Sequence, residues 1–199
     1  MSKVEFSKLS GWAFILGSFS FATILTGSDS VALPGSVISS LLLMSAMLSL
    51  RAHYAGNAGG FGRNILLFGA IGPVLLWIVI ASMYVMYRSG NLTDAQVETQ
   101  GLWILIFGGP AISLLGLTLF GLAVLRNKPM PRLNWLPFFA GIWYPVVYFF
   151  LAGYLFTHDG EYPGQYHAAM QMIFLIQFLA LCVFGASLIS DTTQEMATA

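Results

Sequence analysis

The chain has 199 residues, of which 57% are hydrophobic and only 8% charged. A soluble domain carries about 25% charged residues, so a water-soluble class is excluded. Lys plus Arg equals Asp plus Glu, 8 against 8, and no basic run is dense enough to bind nucleic acid.

Six apolar stretches free of Asp, Glu, Lys and Arg follow one another, at about residues 9–27, 31–50, 65–87, 102–125, 134–157 and 167–190. A bilayer-crossing helix needs about 20 such residues. Backbone groups in hydrocarbon must pair within their own segment, so each stretch is read as a helix. The expected fold is all-α: one polytopic integral membrane domain over 1–199 with six transmembrane helices. Lys3 and Lys8 ahead of the first run resemble a signal peptide, but the run is long and no A-x-A site follows it, so it is read as the first span.

The second stretch ends at Arg51, and the segment Arg51–Asn64, RAHYAGNAGGFGRN, is read as a flexible basic connector. Glycine loops cradle phosphate when they join a strand to a helix, and neither the strand nor the Lys-Ser/Thr pair is present. Contact of Arg51, His53 and Arg63 with anionic lipid headgroups extends that reading. After the third stretch, Arg88–Gly101 is an outer polar segment that carries a glycosylation triplet, Asn91-Leu92-Thr93.

Charge orients the bundle. Lys3, Lys8, Arg51, Arg63, Arg126, Lys128 and Arg132 are seven of the eight Lys/Arg and fall on one side of an alternating topology. Arg88 stands alone on the other, with Asp29, Asp94, Glu98, Asp159 and Glu161. Cationic loops stay cytoplasmic, which places both termini inside and the chain in the plasma (inner) membrane.

A repeat is weighed as well. Gly35, Ser39 and Ser49 in the second stretch match Gly109, Ser113 and Ala123 in the fourth, each set on one helix face. The run Phe68-Gly69-Ala70-Ile71-Gly72-Pro73-Val74 in the third is set beside Phe139-Ala140-Gly141-Ile142-Trp143-Tyr144-Pro145-Val146 in the fifth. The expectation is a helical hairpin repeated three times, against the alternative that apolar sequences resemble one another by composition.

Gly35, Ser39, Gly109, Ser113 and Gly116 are expected to let helix backbones approach closely, within the chain or against another. Pro73, Pro110 and Pro145 each remove a helix hydrogen bond and are expected breaks, of the kind that surround substrate in transporters. Trp143, Tyr144 and Tyr148, with Gln171 and Gln177, are the candidate lining of a cavity for a neutral or lipophilic molecule. Stacking on a quinone or pigment is the sharp reading of that aromatic face, and core packing the plain one. Gln171 and Gln177 are six apart and point about 120° away from each other on a helix. Absence of intramembrane charge disfavours an ion-coupled pump. His158, Asp159, Glu161 and His167 are the weak candidates for a metal, against a solvated polar loop. Cys182 rules out an internal disulfide and is expected to pack as a small hydrophobe. No HExxH, GxSxG or paired nucleophile and base occurs. The chain therefore reads as a non-catalytic accessory subunit whose partners are membrane lipids and other membrane subunits or itself. The alternative is a channel, transporter or binding protein for a lipid, quinone or pigment.

Overall fold

In the computed structural model, residues 3–24, 29–54, 59–91, 103–127, 134–157 and 165–198 are described, and the helices among them are six. They are α1 (Lys3–Ile24), α2 (Asp29–Tyr54), α3 (Gly59–Arg88), α4 (Trp103–Asn127), α5 (Leu136–Thr157) and α6 (Gln165–Thr198). No strand occurs among the described residues.

Several helices run past their charge-free stretches. α2 continues through Arg51 and His53 to Tyr54, so His53 lies in a helix and not in a loop. α3 already begins at Gly59, which leaves little of the expected flexible connector. The reason is packing: Tyr54 is buried against Phe120 of α4, with ring centroids 6.3 Å apart, which holds the last turn of α2 in place. α3 stops by a Schellman cap. Gly90 takes φ 71°, its N–H donates to Tyr87 O, and Asn91 N–H donates to Met86 O.

The helices form an up-and-down ring in chain order, closed by α6 against α1, with α2 also touching α4. Each neighbouring pair has a register marked by small or hydroxyl residues. Ser10 Oγ donates to Ala46 O (2.9 Å) and Ser39 Oγ to Gly17 O (2.8 Å), which makes α1 and α2 antiparallel. Trp77 Nε1 donates to Ser40 Oγ (3.2 Å) between α3 and α2. Gly69 meets Gly116 and Gly72 meets Gly109 between α3 and α4. Ser7 Oγ donates to Leu188 O, Gly11 meets Gly185, and Ser18 Oγ lies 3.1 Å from Cys182 Sγ between α1 and α6.

One core joins all six helices, with Phe14, Leu43, Met47, Leu66, Leu117, Phe120, Tyr144 and Phe184 among its members. α4 is the central helix: 67% of Gly108–Asn127 is buried, against 33% of Gly59–Arg88 in α3. The outside is apolar too. Trp12, Phe19, Ile38, Ile78, Val85, Phe150, Met172 and Val183 are all more than half exposed. A soluble monomer does not carry such a belt. Among the described residues, four helices are long and apolar enough to cross a membrane: Val37–Tyr54, Gly59–Arg88, Gly108–Asn127 and Gln171–Asp191. α5 contributes a shorter apolar helix, Leu136–Phe150.

Candidate functional site

The richest polar arrangement in the interior is where α5 meets α6. Pro145 is buried in α5 and has no N–H to give to Gly141 O, one rung of the helix ladder. At the rung before it, Gln177 of α6 reaches across. Its Oε1 accepts from Tyr144 N–H (3.0 Å), and its Nε2 donates to Ala140 O. These two backbone groups are the pair that an uninterrupted helix joins to each other. Gln177 is fully buried, and its amide thus satisfies both backbone groups while being satisfied by them.

Around this clamp the aromatic side chains are layered. Tyr144 is buried, stacks on Tyr148 at 6.3 Å with 10° between ring planes, and meets Phe174 of α6 at 5.6 Å. The hydroxyl of half-buried Tyr148 sits beside Gly108 of α4, where a Cβ would stand only 3.0 Å from it. Along the other edge of α5, Trp135, Phe139 and Trp143 make successive edge-to-face contacts at 5.6 Å and 5.4 Å. The indole Nε1 of Trp143 is buried and has no acceptor among the described residues. α4 presses on the same helix from behind: Gly121 faces the backbone of Phe138, and a Cβ on Gly141 would stand 2.6 Å from Thr118 N.

The structure brings Tyr144, Tyr148 and Gln177 together, with Trp143 on the adjoining edge. It does not bring Gln171 to them. Gln171 is exposed, a turn and a half before Gln177 on another face of α6. Gly109, Ser113 and Gly116 are buried on α4 against α3, and Ser39 is buried on α2 against α1. Gly35 is half-buried. Pro73 and Pro110 are buried in α3 and α4, two helices that meet glycine to glycine. His158, Asp159 and Glu161 lie outside the described residues, as does the side chain of His167. Among the described residues no group of His, Cys, Asp and Glu is arranged to hold a metal ion.

Sequence reasoning missed Gly11, Gly185 and Ser18 as contact points. Gly11 and Ser18 are seven residues apart on α1, but their partners come from a helix about 170 residues away, so the sequence does not show which helix they meet. No protein-family model, curated protein or solved structure matches the chain.

Proposed function

We propose that this chain is a non-catalytic integral membrane protein, a structural or accessory subunit that crosses the bilayer six times with both termini cytoplasmic. The observation that carries this reading is the use of Gln177. The strongest polar side chain of the interior, expected to face a ligand, has both ends of its amide engaged by the backbone of α5. Serine hydroxyls on α1 and α2 act in the same way, each donating to a carbonyl of a neighbouring helix. The polar groups of Ser7, Ser10, Ser39 and Gln177 are thus directed at helix association, which in lipid rests on close packing and interhelical hydrogen bonds. The exposed apolar belt, Trp12, Ile38, Ile78, Val85, Phe150 and Met172 included, meets lipid or the helices of a partner.

A second reading, binding of a neutral or lipophilic molecule, is favoured by one observation: the enclosed Nε1 of Trp143 asks for an acceptor that the described residues do not supply. The two readings separate in native mass spectrometry of the gently extracted protein. The subunit reading expects other polypeptides in fixed ratio. A lone monomer in every mild detergent overturns it, and a small molecule retained by the wild type and lost in Trp143→Phe establishes the second reading.

A further inference from the structure

The end of the bundle where α2 stops and α3 starts holds an arginine with one enclosed donor that the described residues do not meet. Arg51 is half-buried, and its Nε is enclosed without an acceptor among the described residues. An enclosed guanidinium N–H with no acceptor is costly, and the group that relieves it is an anionic oxygen. Met47, Arg51 and Tyr54 share one stripe of α2, at spacings of four and three residues. Met47 Sδ stands 3.6 Å from where a Cβ on Gly69 of α3 would be, and Tyr54 packs on Phe120 of α4. Arg51 therefore follows the seam that α2 makes with α3 and α4.

A second guanidinium comes to the same seam from α3. Trp77, whose indole donates to Ser40 of α2, lies on a stripe that runs through Pro73, Ala70 and Leu66 to Arg63. The pairs Ser40–Trp77 and Met47–Gly69 fix the antiparallel register. In that register Arg63 stands level with residues 53–54, within about 5 Å of Arg51 in height at about 1.5 Å per residue. Packed helix axes are about 8–10 Å apart, a gap that two arginine arms close on one phosphate. Arg63 is exposed, so its head is free to turn. No carboxylate on the three helices neutralises the pair. α3 and α4 contain no Asp or Glu, and the one acidic residue of α2, Asp29, is at its other end. Asp191 lies on α6, and Glu5, exposed, lies on α1, the other neighbour of α2, at about the height of Arg51 but outside the α2–α3 seam.

We propose that the seam between α2 and α3 is a binding site for the phosphodiester headgroup of an anionic phospholipid, held by Arg51 and Arg63. Arg51 supplies the enclosed donor and fixes the depth of the phosphate; Arg63 closes over it from the surface. The inference rests on the membrane reading above. It goes beyond a diffuse attraction of basic residues to the leaflet, because it assigns one headgroup to one pair of side chains.

The test is native mass spectrometry of the purified full chain, titrated with phosphatidylglycerol or with phosphatidylcholine of the same acyl chains. The first phosphatidylglycerol is expected to bind the wild type about tenfold more tightly than the first phosphatidylcholine, as two arginines at an anionic surface allow. Arg63→Gln, at an exposed position, is expected to remove most of that preference, and Arg51→Gln with Arg63→Gln all of it. Arg88→Gln, at the opposite end of α3, is expected to keep it. Equal binding of the two lipids by the wild type overturns the proposal, as does a preference that survives Arg63→Gln. Displacement of the lipid by millimolar inorganic phosphate assigns the site to a soluble anion and overturns it too. Release of the wild type from membranes by an alkaline carbonate wash is a separate outcome, and it overturns the membrane reading itself.

Discussion

Gln177 shows what a single buried amide does that no apolar side chain can. Its carboxamide has one donor end and one acceptor end, and α5 offers one of each in Tyr144 N–H and Ala140 O. Gln177→Leu removes both contacts together, and the two backbone groups keep the spacing of an ordinary helix pair. The expected loss of stability is small, under about 1.5 kcal/mol, since interhelical hydrogen bonds in membranes average well below that. Gln177→Glu keeps the acceptor for Tyr144 N–H but, when ionised, has no donor for Ala140 O and sets a charge in the core. That change is expected to cost more, about 2–4 kcal/mol. Denaturation in mixed detergent, followed by loss of helical circular dichroism, orders the two variants; a glutamate variant as stable as the leucine one refutes the clamp. Sequence singled out Gln177 as a polar residue in an apolar run. What it does was not legible, because its partners are backbone atoms 33 and 37 residues earlier in the chain, and backbone atoms leave no mark on side-chain pattern.

At the level of elements, the helices touch where they have no side chains. A Cβ on Gly116 would stand 2.5 Å from Gly69 Cα, and one on Gly185 would stand 2.5 Å from Gly11 O. The obstacle in both cases is backbone, which has no rotamer to change. Gly116→Ala and Gly185→Ala therefore force α4 from α3 and α6 from α1, at about 1–3 kcal/mol each. Gly60→Ala in the first turn of α3 is the contrast, because nothing lies within 4 Å of the added carbon. It is expected to be neutral, or stabilising by up to about 1 kcal/mol through the lost freedom of glycine. Thermal unfolding in one detergent compares the three, and a Gly116→Ala variant that unfolds with Gly60→Ala refutes the close crossing. The small face of α4 was readable from its spacing, Gly109, Ser113 and Gly116. The α1–α6 crossing was not, since Gly11 and Gly185 come from helices about 170 residues apart in the chain and neither identifies the other. Helix ends were misjudged for a related reason: counting charge-free residues stops at Leu50, whereas α2 goes on to Tyr54. A helix needs apolar side chains only where it meets hydrocarbon, and long basic side chains reach out of it along their own stems.

For the molecule as a whole, the ring order decides how charge is distributed between its two ends. Neighbours are antiparallel around the ring, so the amino-terminal turn of α1, the last turns of α2, α4 and α6 and the first turn of α3 share one end. That end carries Lys8, Arg51, Arg63 and Arg126, and the other end of α3 carries Arg88. In the reading proposed above, the rule that keeps basic loops inside would send both termini to the cytoplasm. The rule acts through the charges that flank each span, which makes the orientation open to experiment. A single cysteine placed at Ser2 or at Thr198, in a Cys182→Ser background, is expected to resist a membrane-impermeant maleimide in intact cells and to react once the cells are opened. A cysteine at Asn91, just past the cap of α3, is expected to react in both. Labelling of only one terminus in intact cells would mean an odd number of crossings, and one of the six helices would then lie outside the bilayer. α1 and α5 are the ones to examine in that event. The described parts of α2, α3, α4 and α6 each provide a full membrane-spanning apolar run, whereas α5 provides only Leu136–Phe150 and α1 provides none. Labelling of both termini in intact cells would instead invert the whole ring and put Arg51 and Arg63 on the outer face, a result that the basic end of the bundle argues against.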